Sequence, residues 1–158
     1  MNEPIQIEDD ILIGGQPTLE QLQELRGQGV RSIVNFREDF EDDAPISPAA
    51  EGRQVREMGM DYVHVPVPKA SLKPEIVGQF RRRFEFLDRP IFAHCGSGKR
   101  AGAMVMMALA CENGWSGEET IRKAEELGFE CDQPEMRSFV KNYVNNHTSL
   151  EASVPGAG

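Results

Sequence analysis

The sequence has few features that would anchor it to a covalent framework, a membrane or a nucleic acid. Its three cysteines, Cys95, Cys111 and Cys131, form no C-x-x-C pair and leave one over; this argues against a disulfide framework or zinc site and for free thiols in a reducing compartment. The longest apolar stretch, Ala101 to Cys111, is too short to span a bilayer. Met1 to Asp10 carries acidic residues where a secretory signal needs a basic start and an apolar run, so a cytoplasmic location is expected. Basic side chains are also scarce, 17 against 26 acidic, for a formal charge of -9. Such a balance opposes nucleic-acid binding and repels anions at long range, so any oxyanion must be attracted locally.

The apolar fraction of 39% and charged fraction of 27% are those of a globular chain, and 158 residues fit one domain with a real core. We expect that domain over residues 1–147 and read 148–158, small, polar and glycine-rich, as a disordered tail. Short β-rich runs alternate with helical stretches, which is the pattern of an α/β domain with a mostly parallel central sheet flanked by helices. Strands are expected at Ile11 to Gly15, Val30 to Asn35, Tyr62 to Val67 and Pro90 to His94. Thr18 with Gln21, and Ser116 with Glu119, form capping boxes that open helices, the second over 117–127. Pro48 after Ser47, Pro74 and Pro134 each suit a first helical turn. The helices they start are expected to end at Gly59, about Leu87 and about Asn145. A further helix is expected from Ala101 to Asn113.

The chemistry concentrates in His94-Cys95-Gly96-Ser97-Gly98-Lys99-Arg100. An apolar strand, Ile91-Phe92-Ala93, runs into this loop and a helix leaves it. Glycines between a strand and a helix let backbone N–H groups point inward at an anion, and the helix N-terminus adds positive potential. The same field favours a thiolate, the reactive form of cysteine. We therefore expect Cys95 to be the nucleophile and Gly96, Ser97, Gly98 and Lys99 to line the cradle. Arg100 offers a planar fork for a tetrahedral anion in the ground and transition states. His94 is read as a support that orders the loop. Gly98-Lys99 is not a Walker loop, since Ala93 and Arg100 stand where that motif needs glycine and a hydroxyl residue.

The string His-Cys-x-x-Gly-Lys followed by Arg resembles the signature of cysteine-dependent tyrosine and dual-specificity phosphatases. The likeness extends over most of residues 5 to 145, through Gly14-Gly15-Gln16-Pro17, Gly29-Val30, Ile33-Val34-Asn35-Phe36-Arg37, and Gly59 before Tyr62-Val63-His64-Val65-Pro66-Val67. It is nearest to a small bacterial branch of a domain of unknown function often described as phosphatases or sulfur transferases. The resemblance implies a phosphatase-like fold, phosphomonoester hydrolysis through a cysteinyl-phosphate, and a phosphorylated protein or small phosphomonoester as substrate, with no metal or organic cofactor.

Three departures qualify this expectation. Most such phosphatases have five residues between the cysteine and arginine, whereas four stand here. The hydroxyl residue that usually follows the arginine is Ala101. The loop after the third strand, Val67-Pro68-Lys69-Ala70-Ser71, holds no acid. Asp39, or its neighbour Glu38, after the second expected strand, is the substitute general acid. The rest of that acidic run, Glu41, Asp42 and Asp43, reads as solvated. The short loop and Cys-Gly-Ser-Gly also resemble the active loop of rhodanese-type sulfurtransferases, which carry sulfur as a cysteine persulfide. That is the alternative reaction. Ala101 and the missing acid also suit a non-catalytic oxyanion or phosphoprotein binder. Arg81-Arg82-Arg83 reads as a solvated helix face, and Met104, Met106 and Met107 as core.

Overall fold

The computed structural model describes residues 4–41, 46–68, 72–128 and 133–152, with side chains described to His147. Among these residues five strands, β1 (Ile5–Glu8), β2 (Ile11–Gly14), β3 (Ser32–Asn35), β4 (Asp61–His64) and β5 (Ile91–His94), form one sheet in the order β1-β2-β5-β3-β4. All neighbouring pairs are parallel except β1 with β2. The α/β class and mostly parallel sheet expected from the alternation are thus what the chain adopts. β1 is the element the sequence reading missed. Ile5-Gln6-Ile7-Glu8 alternates as a half-buried edge strand should, and the turn at Asp9-Asp10 returns it antiparallel onto β2.

Among the described residues six helices, α1 (Leu19–Gly27), α2 (Pro48–Glu57), α3 (Pro74–Phe84), α4 (Lys99–Asn113), α5 (Gly117–Leu127) and α6 (Pro134–Ala152), cover the sheet. Both capping boxes form: the Thr18 and Ser116 side chains accept from the amides of Gln21 and Glu119. Ser47 likewise caps α2 ahead of Pro48. α6 runs past Asn145 to Ala152, so residues 148–152 of the expected tail are helical; no glycine or proline interrupts 146–152 to stop it. Cys131, Asp42, Asp43 and Lys69 to Ser71 lie outside the described residues, as does 153–158.

The alternation of side chains along β5 decides the site. Ile91 and Ala93 face the larger core, built with α3, α4, α5 and α6, while Phe92 faces the smaller one with Leu22, Leu25, Val55 and Met60 of the α1 and α2 side. By the same period His94 follows Phe92 toward α2, and Cys95 follows Ala93 toward α4. The residues at the C-terminal end of β5 therefore reach opposite faces of the sheet. α4 passes behind the loop with Ala101 to Cys111 all buried, including Met104, Met106 and Met107.

Candidate active site

The loop leaves the carboxyl end of β5, the usual position for a ligand in an open parallel sheet, and closes at Gly98. That glycine caps α4 with φ +99°, a left-handed conformation that a side chain would strain. Its tightness comes from a second turn, Gly14-Gly15-Gln16, packed beneath it. A Cβ at Gly15 would stand 2.8 Å from the Gly96 carbonyl oxygen, and the Gln16 amide donates to that same oxygen at 3.2 Å.

The Cys95 sulfur lies at the N-terminus of α4. It accepts from the Gly98 amide at 3.1 Å and the Ala101 amide at 3.4 Å, and the residue is fully buried. Gly98 is buried, Gly96 half-buried, and Ser97 and Lys99 exposed. Arg100 is only 6% exposed. Its fork is taken by Glu41: Nη1 donates to Oε2 at 2.7 Å and Nη2 to Oε1 at 2.9 Å, while Nη1 also donates to the Val67 carbonyl at 2.9 Å. Burial works against the guanidinium charge, and Glu41 together with the Cys95 sulfur more than offsets it. The Glu41 carboxyl is lowered to about 2, chiefly by its hydrogen bond to Arg100.

Thus the acidic run does deliver a side chain to the site, and it is Glu41. Asp39, by contrast, is 60% exposed and lies 4.0 Å from His64 Nδ1, beside a cavity of about 300 Å³ also lined by Arg56, Tyr62 and Arg83. Arg81 and Arg82 line a separate cavity of about 850 Å³ with Glu112 and Tyr143, which includes none of the loop residues.

His94 is completely buried and bonded through Nε2 to Glu51 Oε2 at 2.7 Å; Glu51 is itself fully buried. Burial alone would raise the Glu51 carboxyl, but the His94 ring and the Gln16 amide hold it below its ordinary value. The support role expected of His94 therefore has a partner in Glu51, which the sequence reading did not single out. The signal was present: Glu51 falls on the buried stripe of α2 with Pro48, Gly52 and Val55, and an acid on such a stripe needs a partner. Arg37, 1% exposed, also entered only as part of a resemblance, although a buried arginine carries the same implication. Among the described residues no group of three or more His, Cys, Asp or Glu side chains could hold a metal ion.

Residues 6–112 match the family model of the beta-lactamase hydrolase-like protein, phosphatase-like domain. The chain belongs to this family. It is 29% identical over 108 residues to a beta-lactamase hydrolase-like protein of Agrobacterium fabrum, covering 68% of this chain and 25% of that one. A protein of the same description from Xylella fastidiosa is 26% identical over 126 residues, covering 80% and 29%. The chain thus spans about a quarter of the length of these curated relatives. In fold it is similar to Tk-PTP in the active form, with a TM-score of 0.78 at 17% identity over 92% of this chain and 97% of that one. It is also similar to PTPMT1 in complex with PI(5)P, with a TM-score of 0.75 at 16% identity over 94% and 98%. The phosphatase-like architecture expected from the loop is therefore the architecture of the domain. No helix among the described residues is long and apolar enough to cross a membrane.

Proposed function

We propose that the domain hydrolyses phosphomonoesters through a cysteinyl-phosphate on Cys95. The observation that carries this reading is the convergence of the Gly98 and Ala101 amides on a sulfur that also lies in the field of Arg100. The Cys95 thiolate attacks phosphorus in line, forming an S–P bond as the ester P–O bond breaks. Loop amides and the Arg100 fork hold the equatorial oxygens. The leaving oxygen takes a proton from Asp39 or from water. Water then attacks the cysteinyl-phosphate, breaks the S–P bond and releases phosphate, returning the thiolate. Because Glu41 occupies the fork as an oxyanion would, substrate must displace that carboxylate to make a bidentate contact. The substrate class is a phosphorylated protein or a small phosphomonoester, and the setting is cytoplasmic.

Two of the same observations favour a second reading, sulfur transfer. Only four residues separate Cys95 from Arg100, and the fork is already filled; a persulfide presents one terminal sulfur to the amides and needs no fork. Thiosulfate would give Cys95–S–S⁻ and sulfite, and cyanide would then take the outer sulfur as thiocyanate and restore the thiolate. Turnover of an aryl phosphate beside thiosulfate plus cyanide separates the two. The phosphatase reading expects Cys95→Ser to lower aryl phosphate turnover at least about a thousandfold while inorganic phosphate still binds, and Asp39→Asn to slow alkyl more than aryl esters. Background phosphate turnover together with a mass gain of one sulfur on Cys95 would establish the second reading instead. Tight phosphopeptide binding without either turnover would leave a binding module.

A further inference from the structure

We propose that Gln16 is a positioning residue that couples the two ends of the Cys95 loop, His94 at its start and Arg100 at its close. The catalytic meaning of that coupling rests on the proposed chemistry of Cys95; the coupling itself does not. The side chain of Gln16 stands between two buried charges. Its Nε2 donates to Glu51 Oε1 at 2.6 Å, and its Oε1 accepts from Arg37 Nη1 at 2.6 Å. A carboxylate only accepts and a guanidinium only donates, so this amide orientation alone satisfies both. From Glu51 the chain of contacts reaches His94 at 2.7 Å. In the other direction Arg37 Nε lies 3.6 Å from Glu41 Oε1, and Glu41 grips Arg100. The backbone of the same residue donates to Gly96 O. One residue therefore holds the Gly96–Ser97 peptide of the loop with its main chain and bridges both ends with its side chain.

The members come from different elements: Gln16 follows β2, Arg37 and Glu41 follow β3, Glu51 is on α2, His94 ends β5 and Arg100 begins α4. Their charges alternate around the neutral amide, negative at Glu51, positive at Arg37, negative at Glu41 and positive at Arg100. Glu51, His94 and Arg37 are at most 1% exposed, so water cannot readily substitute for a lost link. Without the Gln16 amide, Glu51 loses a donor and Arg37 an acceptor, and both ends of the loop lose a support.

Gln16→Glu makes the test specific. Protonated, Glu offers a hydroxyl donor and a carbonyl acceptor, the pattern of Gln; ionised, it sets a second carboxylate against Glu51. Glu51 on α2 and Arg37 after β3 meet this side chain directly; His94 on β5 and Tyr62 on β4 act on Glu51, and Glu41 after β3 and Arg100 on α4 follow beyond Arg37. The midpoint of the introduced acid is set by Glu51, whose like charge raises it, against Arg37, whose opposite charge lowers it. Side-chain NMR of the His94 ring and the Arg100 guanidinium is recorded against pH in the full chain carrying Gln16→Glu. Both signals are expected to move with one shared midpoint that wild type lacks. Core methyl signals such as those of Leu22 stay put, and Gln16→Leu shifts both ends at every pH. Aryl phosphate turnover of the Gln16→Glu variant should match wild type below that midpoint and fall about tenfold above it. Movement at His94 alone, separate midpoints, or core signals moving with the same midpoint would overturn the proposal. Shared midpoints in a protein without phosphate turnover would uphold it and count only against the phosphatase reading.

Discussion

At the residue scale the site turns on one guanidinium, that of Arg100. Glu41 holds both ends of the Arg100 fork and is itself only 6% exposed, so the pair is little screened and each partner depends on the other. Because the folded carboxyl is lowered from 4.5 to about 2, Glu41 binds fewer protons folded than unfolded over that interval. Its contribution to stability is fully present above pH 4.5 and is lost as the pH falls toward about 2. Thermal unfolding of wild type and Glu41→Gln should show the wild-type advantage constant near neutrality, on the order of 1–3 kcal/mol, and shrinking through this acid range. A difference that stays constant down to pH 2 would mean that Glu41 does not hold Arg100 as an ion. Asp39 and Glu41 are two residues apart in one acidic run; local composition does not say which of them turns inward.

At the scale of elements, the loop is shaped as much by the turn after β2 as by its own glycines. Gly15 is required because its missing Cβ makes room for the Gly96 carbonyl, 2.8 Å from where that atom would stand. Gly15→Ala should therefore displace the Gly96–Ser97 peptide while leaving the sheet and helices intact. The expected result is unchanged circular dichroism with Cys95-dependent turnover lower by about tenfold or more. Wild-type turnover in this variant would show that the two turns are not tightly packed. The capping boxes, the proline starts and the strand entering Cys95 were legible because each is a local signal, spelled by residues within one turn of one another. β1 was missed because its pairing is shared with β2 and a four-residue alternation carries little weight alone. The continuation of α6 to Ala152 was missed for the opposite reason: small polar residues weaken a helix without ending it.

At the scale of the whole molecule, the sheet divides two cores of unequal size. The smaller one fixes α1 and α2 against the face to which His94 points, and α2 carries Glu51. Leu22, fully buried there, is a test of that packing: Leu22→Ala should cost about 2–5 kcal/mol of unfolding free energy, read by chemical denaturation. A loss under about 1 kcal/mol would mean that this face is loosely packed. The chain as a whole is acidic, yet Arg37 and Arg100 are drawn inside beside the carboxylate of Glu41, so the charges around the loop are balanced locally.

The amino-acid order alone determined the α/β alternation, the caps and the Cys95–Arg100 loop, because these depend on neighbours close in the chain. Tertiary structure decided which acid meets Arg100, which partner holds His94, and that Gln16 lies between them. These contacts join residues 21 to 59 positions apart. They depend on strand order and on the face to which each side chain points, and neither is written in any local pattern.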